Sequence, residues 1–322
     1  MQLTTRPRGT MEAPVLPEPA KFPGKRSRYI RTLVLFLLPC AVLYGAIVLF
    51  PVVQALYYSL WNWSGLGPLT SFVGLKNFVT AISSSTFRTA LGHNLIILVL
   101  SLCVQLPLAL VLALVIGKSL PGRSIFRMIF FMPYILSDVV VGVIWLFIFE
   151  PNGLLSSVWQ HVFPGSQSPL WMGDPNIVLY AIFMTMTWKY LGLSLVLYAA
   201  AIQNIPDELV EAARIDGASM FQVVRSITIP LMGSTIRLTI LLSALGSLQY
   251  FDLIWIMTNG GPVHASETMA TYLYKNGFVS FELGYGSAVG VIMFLICFVF
   301  AILYQRFVMS RDLAGSVTEA VV

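Results

Sequence analysis

Three charged side chains stand in stretches otherwise nearly free of charge. Lys189 sits between Trp188 and Tyr190, Asp138 follows Ser137 in an aliphatic run, and Asp252 follows Gln249, Tyr250 and Phe251. A lone charge at the centre of an apolar helix in lipid costs about 2.5–3.5 kcal/mol, so Lys189 must meet a counter-charge or water. Two readings stand open. Lys189 is a hydrogen-bond donor to a solute in a polar pocket, with Tyr190, Gln249, Tyr250 and Asp252 as further lining. Or it is a structural cation, paired with Asp138, Asp252 or an acid of a partner chain. Asp252, near the end of its apolar run, has the same two readings, pathway or interface. Catalysis needs converging nucleophile, base or metal groups. His93, His161 and His264 are scattered, and Cys40, Cys103 and Cys297 lie in apolar runs without metal or disulfide spacing. Gly117-Lys118-Ser119 ends like a phosphate-binding loop, but the first glycine of that motif belongs at position 112, which is Leu112, and no strand precedes it. The expectation is a chain that is not an enzyme, has no catalytic or metal residues and holds no cofactor of its own.

What positions these groups follows from composition. Of 322 residues, 57% are hydrophobic and 10% are charged, against about 25% charged in soluble domains. Such a chain needs lipid as its solvent. Six apolar stretches are long enough for the roughly 20-residue crossing, at about 32–50, 94–116, 126–149, 177–203, 233–257 and 284–305. Backbone groups in lipid find no water, so these stretches must be helical. The alternation of a membrane β-barrel is absent. The expected fold is an all-α membrane protein of about six helices. Gly286 and Gly290 on the last span form a small-residue face suited to close packing, a pattern common by chance.

Fifteen of the nineteen Lys and Arg residues fall on one side of these spans. That bias puts both termini and the loops after spans two and four in the cytoplasm. Residues 1–30, basic and Pro-rich, are expected to be a disordered cytoplasmic tail obeying this charge rule rather than a nucleic-acid binder. Residues 31–308 form the membrane domain, and residues 309–322 a second cytoplasmic tail.

The most informative segment is the loop 204–231. Pro206 suits a first helical position, and Asp207 and Glu208 favour the positive end of that helix. Gly217 is placed to end it in a left-handed conformation. Ser219 and Gln222 make a capping box for a second helix, and Pro230 is expected to end that helix. Met220 and Phe221 are apolar knobs on a water-facing elbow, and such knobs need a partner.

At this loop the chain resembles the membrane subunits of binding-protein-dependent ABC importers. Their signature is Glu-Ala-Ala, three residues, Gly, nine residues, Ile, one residue, Leu-Pro. Here it is Glu211-Ala212-Ala213, Gly217, Ile227 and Ile229-Pro230, with Ile229 in place of Leu. The resemblance runs from about Arg31 to Arg306. It is similar to the sugar-importer branch, of the maltose-importer first-permease type, through the stretches 72–78, 122–127, 131–133, 251–254 and 258–262. The prototype of that type has extra spans and a large external domain that this chain lacks. The resemblance implies a permease in a prokaryotic cytoplasmic membrane. It implies a second homologous permease, a cytoplasmic ATPase dimer holding ATP and Mg, and an extracytoplasmic solute-binding protein as partners. It further implies that Glu211, Ala212, Ala213, Asp216, Gly217, Ala218, Met220 and Phe221 face the ATPase. The alternative weighed against it is an ion-coupled secondary transporter, which should show internal repeats and paired broken helices; the sequence shows neither.

Overall fold

A computed structural model describes residues 25–117 and 122–310, with side-chain surroundings from residue 33 onward. Of the tails expected at 1–30 and 309–322, residues 1–24 and 311–322 lie outside the described residues, as does the Lys118-Ser119 pair, and residues 309–310 are helical. Residues 25–30, expected as tail, are helical.

The elements in chain order are α1 (Lys25–Tyr44), α2 (Phe50–Tyr58), α3 (Lys76–Ser83), α4 (Ser85–Leu100), α5 (Leu106–Ile116), α6 (Arg123–Ile135), α7 (Asp138–Phe149) and α8 (Leu154–Val162). There follow α9 (Val178–Gln203), α10 (Asp207–Ile215), α11 (Met220–Val223), α12 (Ile229–Leu231), α13 (Gly233–Leu248), α14 (Asp252–Thr258), α15 (Met269–Tyr274) and α16 (Leu283–Tyr304). Wide π turns join α1 to α2 at Gly45–Leu49, α4 to α5 at Ser101–Gln105, and α11 to α12 at Val224–Thr228. The expected all-α class holds: among the described residues the only β pairing is an isolated bridge between Trp61 and Phe72.

The chain divides into two units, residues 1–52 and 53–322. In the first, none of the described side chains is buried, and Leu35 and Phe36 are largely exposed. The second unit has its hub in α9, with 67% of its apolar window inside the protein against 28% or less in the other candidate spans. One core cluster gathers α7, α14 and the first half of α9 around Val141, Ile182 and Leu253. A second gathers α5 and the second half of α9 around Ala113, Leu195 and Tyr198. A third joins α4, α15 and α16 around Ala90, Met269 and Val289.

Among the described residues, five helical stretches are long and apolar enough to cross a membrane, and a sixth is the bent pair Met220–Leu231 and Gly233–Leu248, which turns by 68°. Two of the six expected spans are not single helices. The span expected at 126–149 breaks at Leu136 and Ser137. Pro133 sits in the last turn of α6, and Ser137 then restarts the chain, accepting the Val140 N–H on its hydroxyl as an N-cap. The span expected at 233–257 stops at Leu248, and α14 begins only at Asp252. The sequence reading ran an apolar window across both breaks, and their cap residues carried the contrary signal.

Apolar surface gives helices no drive to associate in lipid, so close contacts between small residues carry the packing. A Cβ on Gly192 would strike the Phe130 carbonyl and come within 2.9 Å of the Phe131 Cα, so α6 and α9 touch backbone to backbone. Gly142 of α7 lets Ile256 of α14 approach, where a Cβ would lie 2.7 Å from its Cγ2. Gly286 of α16 packs on the Gly277 Cα, so half of the expected small-residue face is a true close contact. Buried Asn94 ties three elements together: its amide donates to the Ser247 carbonyl at 2.7 Å, and its oxygen accepts the Met269 N–H at 2.9 Å.

Candidate functional site

Two regions carry the candidate function: the elbow between α9 and α13, and a cavity between those same helices.

The elbow is built by local signals. Pro206 stands just before α10 with its φ at −58°, and Asp207 and Glu208 fill the first turn. At the far end Gly217 has φ +84°. The Ala218 N–H reaches the Ala213 carbonyl at 2.9 Å and the Gly217 N–H reaches the Arg214 carbonyl at 3.0 Å, the paired bonds of a Schellman cap. Ser219 then opens α11 with a complete capping box: its hydroxyl accepts the Gln222 N–H at 3.3 Å, and the Gln222 side chain accepts the Ser219 N–H at 2.7 Å.

Pro230 does not end the second helix as expected. The helix continues to Leu231, and the π turn Val224–Thr228 stands directly before Ile229-Pro230. A wide turn there takes up the missing proline N–H and the bulk of its ring. The bend comes at Met232, which is fully buried.

Glu211, Ala212, Asp216 and Gly217 are exposed, and Ala213 and Ala218 half-buried. Met220 and Phe221 are 61% and 70% exposed, and Ile215 is 86% exposed. Ile215 is a third knob beside the two expected; it closes the apolar pattern of α10 at the turn, and the sequence reading passed over it. Together they leave an apolar surface on an otherwise charged hairpin.

The cavity has a volume of about 300 Å³. From α9 it is lined by Met186, Tyr190 and Ser194, from α13 by Thr239, Ser243 and Gly246, and from the break after α13 by Gln249, Tyr250, Phe251 and Asp252. Ser101 and Gln105, on the π turn before α5, complete the polar wall. The structure therefore brings Tyr190, Gln249, Tyr250 and Asp252 together. Asp252, expected near the end of an unbroken span, instead begins α14 beside this cavity. The Tyr190 and Tyr250 rings lie edge to face at 6.1 Å.

Lys189 does not line this cavity. It is 3% exposed, and its Nζ donates to the Leu136 carbonyl at 2.8 Å and pairs with the Asp138 carboxylate at 2.9 Å. It fills the break between α6 and α7, satisfying a carbonyl that no helix satisfies. Of the two readings open in the sequence, the pairing with Asp138 is the one formed. Tyr190 Oη donates to the same carboxylate at 2.8 Å, which links the break to the cavity wall.

Two of the histidines, His93 and His264, meet Glu267. Glu267 is buried, pairs with His264, and has Lys275 Nζ at 3.5 Å. The His93 Nδ1 meets the Glu267 carbonyl at 2.8 Å. His161 lies exposed at the end of α8.

Comparison with known proteins shows the family and the fold. Residues 105–311 match the family described as binding-protein-dependent transport system inner membrane component. The chain is similar to a probable ABC transporter permease protein of Pyrococcus horikoshii, 34% identical across 87% of this chain and 96% of that one. It is also similar to the diacetylchitobiose uptake system permease protein of Streptomyces coelicolor, 31% identical over 94% and 91% of the two chains. The sn-glycerol-3-phosphate transport system permease protein of Agrobacterium fabrum is 31% identical over 90% and 97%. In fold it matches a chain of a bacterial alginate ABC transporter, solved with an alginate pentasaccharide-bound periplasmic protein, at a TM-score of 0.77 and 22% identity, covering 90% of this chain and 97% of that one. The chain belongs to the family of inner membrane components of binding-protein-dependent transport systems.

Proposed function

We propose that this chain is the permease subunit of an ATP-driven sugar importer, that the cavity between α9 and α13 is part of its solute path, and that the elbow takes force from a cytoplasmic ATPase. The single observation that carries this reading is connectivity. The elbow joins the two helices that face each other across the cavity. Gly246 lies thirteen residues along α13 from Gly233, about 20 Å by helical rise, so a displacement at the elbow moves the cavity wall through one continuous helix. At its other end, Ile205 and Val210 pack in the same core cluster as Leu195 and Tyr198 of α9. Tyr198 Oη and Thr239 Oγ1, 2.8 Å apart, tie the two helices directly.

The exposed Ile215, Met220 and Phe221 are the docking knobs, and Glu211 and Asp216 the charged contacts beside them. Partners are a second, related permease, an ATPase pair that binds ATP and Mg, and an external solute-binding protein. A relative named for a diacetylchitobiose uptake system supports a sugar or sugar-like cargo. Both termini and the elbow lie in the cytoplasm, where the basic residues gather. A cysteine at Ser219 should label from outside only after the cells are permeabilised; ready labelling of intact cells would overturn this orientation.

The decisive experiment obstructs the cavity. A Cβ at Gly246 meets nothing within 4 Å, so a side chain there enters open space. Gly246→Trp should abolish uptake in cells and proteoliposomes while the subunit still co-purifies with the ATPase. Undiminished uptake by that variant would remove the cavity from the solute path.

A further inference from the structure

The charge of the central cavity restricts what it can hold, an inference that rests on reading the cavity as the solute path. Its polar wall consists of hydroxyls and carboxamides, among them Gln105, Ser194, Ser243 and Gln249, with one ionisable acid, Asp252. No Lys, Arg or His is among the described lining residues. Lys189 is adjacent in sequence to the lining Tyr190, yet its charge is spent on Asp138 and the Leu136 carbonyl. Asp252 is exposed, and among the described residues no cation stands within ion-pair range of it.

A cleft with apolar walls concentrates the field of a charge inside it. An anionic solute entering here would surrender hydration and meet a carboxylate with no compensating cation among the described lining residues. A neutral polyhydroxyl solute would instead exchange water for donors and acceptors of the same kind. Its hydroxyls can donate to Asp252 and Gln249, and its apolar ring faces can lie on Tyr190 and Phe251. We propose that Asp252 is a specificity-determining residue that makes the cavity electronegative, so that the path accepts uncharged polyhydroxyl solutes and rejects phosphorylated, sulfonated and uronic-acid ones.

The test measures the cavity potential with probes of opposite charge. Gly246→Cys is made in a background with Cys40, Cys103 and Cys297 replaced by serine, and the complete transporter is placed in nanodiscs. Rates of modification by cationic trimethylammonioethyl and anionic sulfonatoethyl methanethiosulfonate are each divided by the rate with a free small thiol. The expected normalised ratio favours the cation by about tenfold and falls toward unity when Asp252→Asn is added. A ratio near unity or favouring the anion, with Asp252 present, overturns the proposal while leaving the path reading intact. So does a cation preference that Asp252→Asn leaves unchanged. Protection of the introduced thiol from both reagents, in the resting and the ATP-driven complex, overturns the path reading, and this proposal with it. The measurement with Asp252 present stands even where the asparagine variant fails to assemble.

Discussion

The elbow and the cavity are joined by the same two helices and are built in opposite ways. The turn of the elbow is closed by bonds that span at most five residues, from the Ala218–Ala213 cap bond to the Ser219–Gln222 box. Its knobs Ile215, Met220 and Phe221 point outward. The cavity is held by bonds across long stretches of chain: Tyr190 to Asp138, Lys189 to Leu136, Tyr198 to Thr239, Asn94 to Ser247 and Met269. Its polar residues point inward. A self-supporting hairpin with an uncovered apolar face keeps its shape when pushed and needs a partner to bury that face. A polar chamber whose walls meet through side chains shifts when one wall moves. The difference assigns stiffness to the part that receives force and compliance to the part that holds cargo.

The largest expected effect comes from breaking the stiff part. Gly217 has a positive φ and no neighbour within 4 Å of a Cβ, so any penalty there is conformational rather than steric. The left-handed conformation costs an L-residue about 1–2 kcal/mol, and β-branching adds to it. Gly217→Val should lower solute uptake and solute-stimulated ATP hydrolysis by about tenfold or more, since 1.4 kcal/mol is a factor of ten. Membrane levels of the subunit should stay near normal, because the spans are unchanged. Gly217→Asn should retain most activity, since Asn tolerates this conformation. Full activity of the valine variant, with the ATPase still retained, would show that the elbow is not the mechanical link.

Breaking the compliant part should cost stability first. Lys189→Met removes the partner of Asp138 and leaves the Leu136 carbonyl unmet. Loss of one member of a fully buried pair costs about 3–5 kcal/mol. Asp138 is 27% exposed, so about 2 kcal/mol is the expected loss, read as a fall in the unfolding midpoint of the purified complex. Lys189→Met combined with Asp138→Asn should recover part of it. A single variant as stable as the parent but inactive in uptake would return Lys189 to the solute path.

Two glycines sharpen the contrast further. Gly192→Ala forces a Cβ against the backbone of α6, and overpacking of this kind costs about 1–3 kcal/mol. Gly246→Ala, facing the cavity, should be tolerated or even stabilise α13 by a fraction of a kcal/mol, as alanine prefers helix by up to about 1 kcal/mol. Thermal unfolding of the two variants side by side checks this; equal destabilisation would mean that the wall at Gly246 is closed. The smallest effect is expected at Ser219→Ala, which removes one capping acceptor worth about 1 kcal/mol. Uptake should fall only a few-fold, because the Schellman cap at Gly217 still turns the chain.

Length, charge and apolar runs in the sequence already determined that this chain is helical and lives in lipid, since only helices and closed barrels satisfy backbone groups there and the alternation of a barrel is absent. The elbow was legible as well. Gly217, Ser219 and Gln222 act on neighbours three to five residues away, so their spacing alone dictates their bonds. Even there one signal misled: Pro230 forbids a regular turn, and only the fold shows that a π turn carries the helix past it. The breaks at Leu136–Ser137 and Gln249–Phe251 had local marks in Pro133, Ser137 and Asp252, but a hydropathy window averages over them. Whether Lys189 served a solute or Asp138 was undecidable from sequence, because the choice depends on which helices meet. That pairing brings together residues about fifty positions apart, and only packing against α9 fixes it. The cavity belongs wholly to the tertiary structure: its wall is assembled from α9, α13 and two helix breaks, and no spacing within any one of them encodes a chamber.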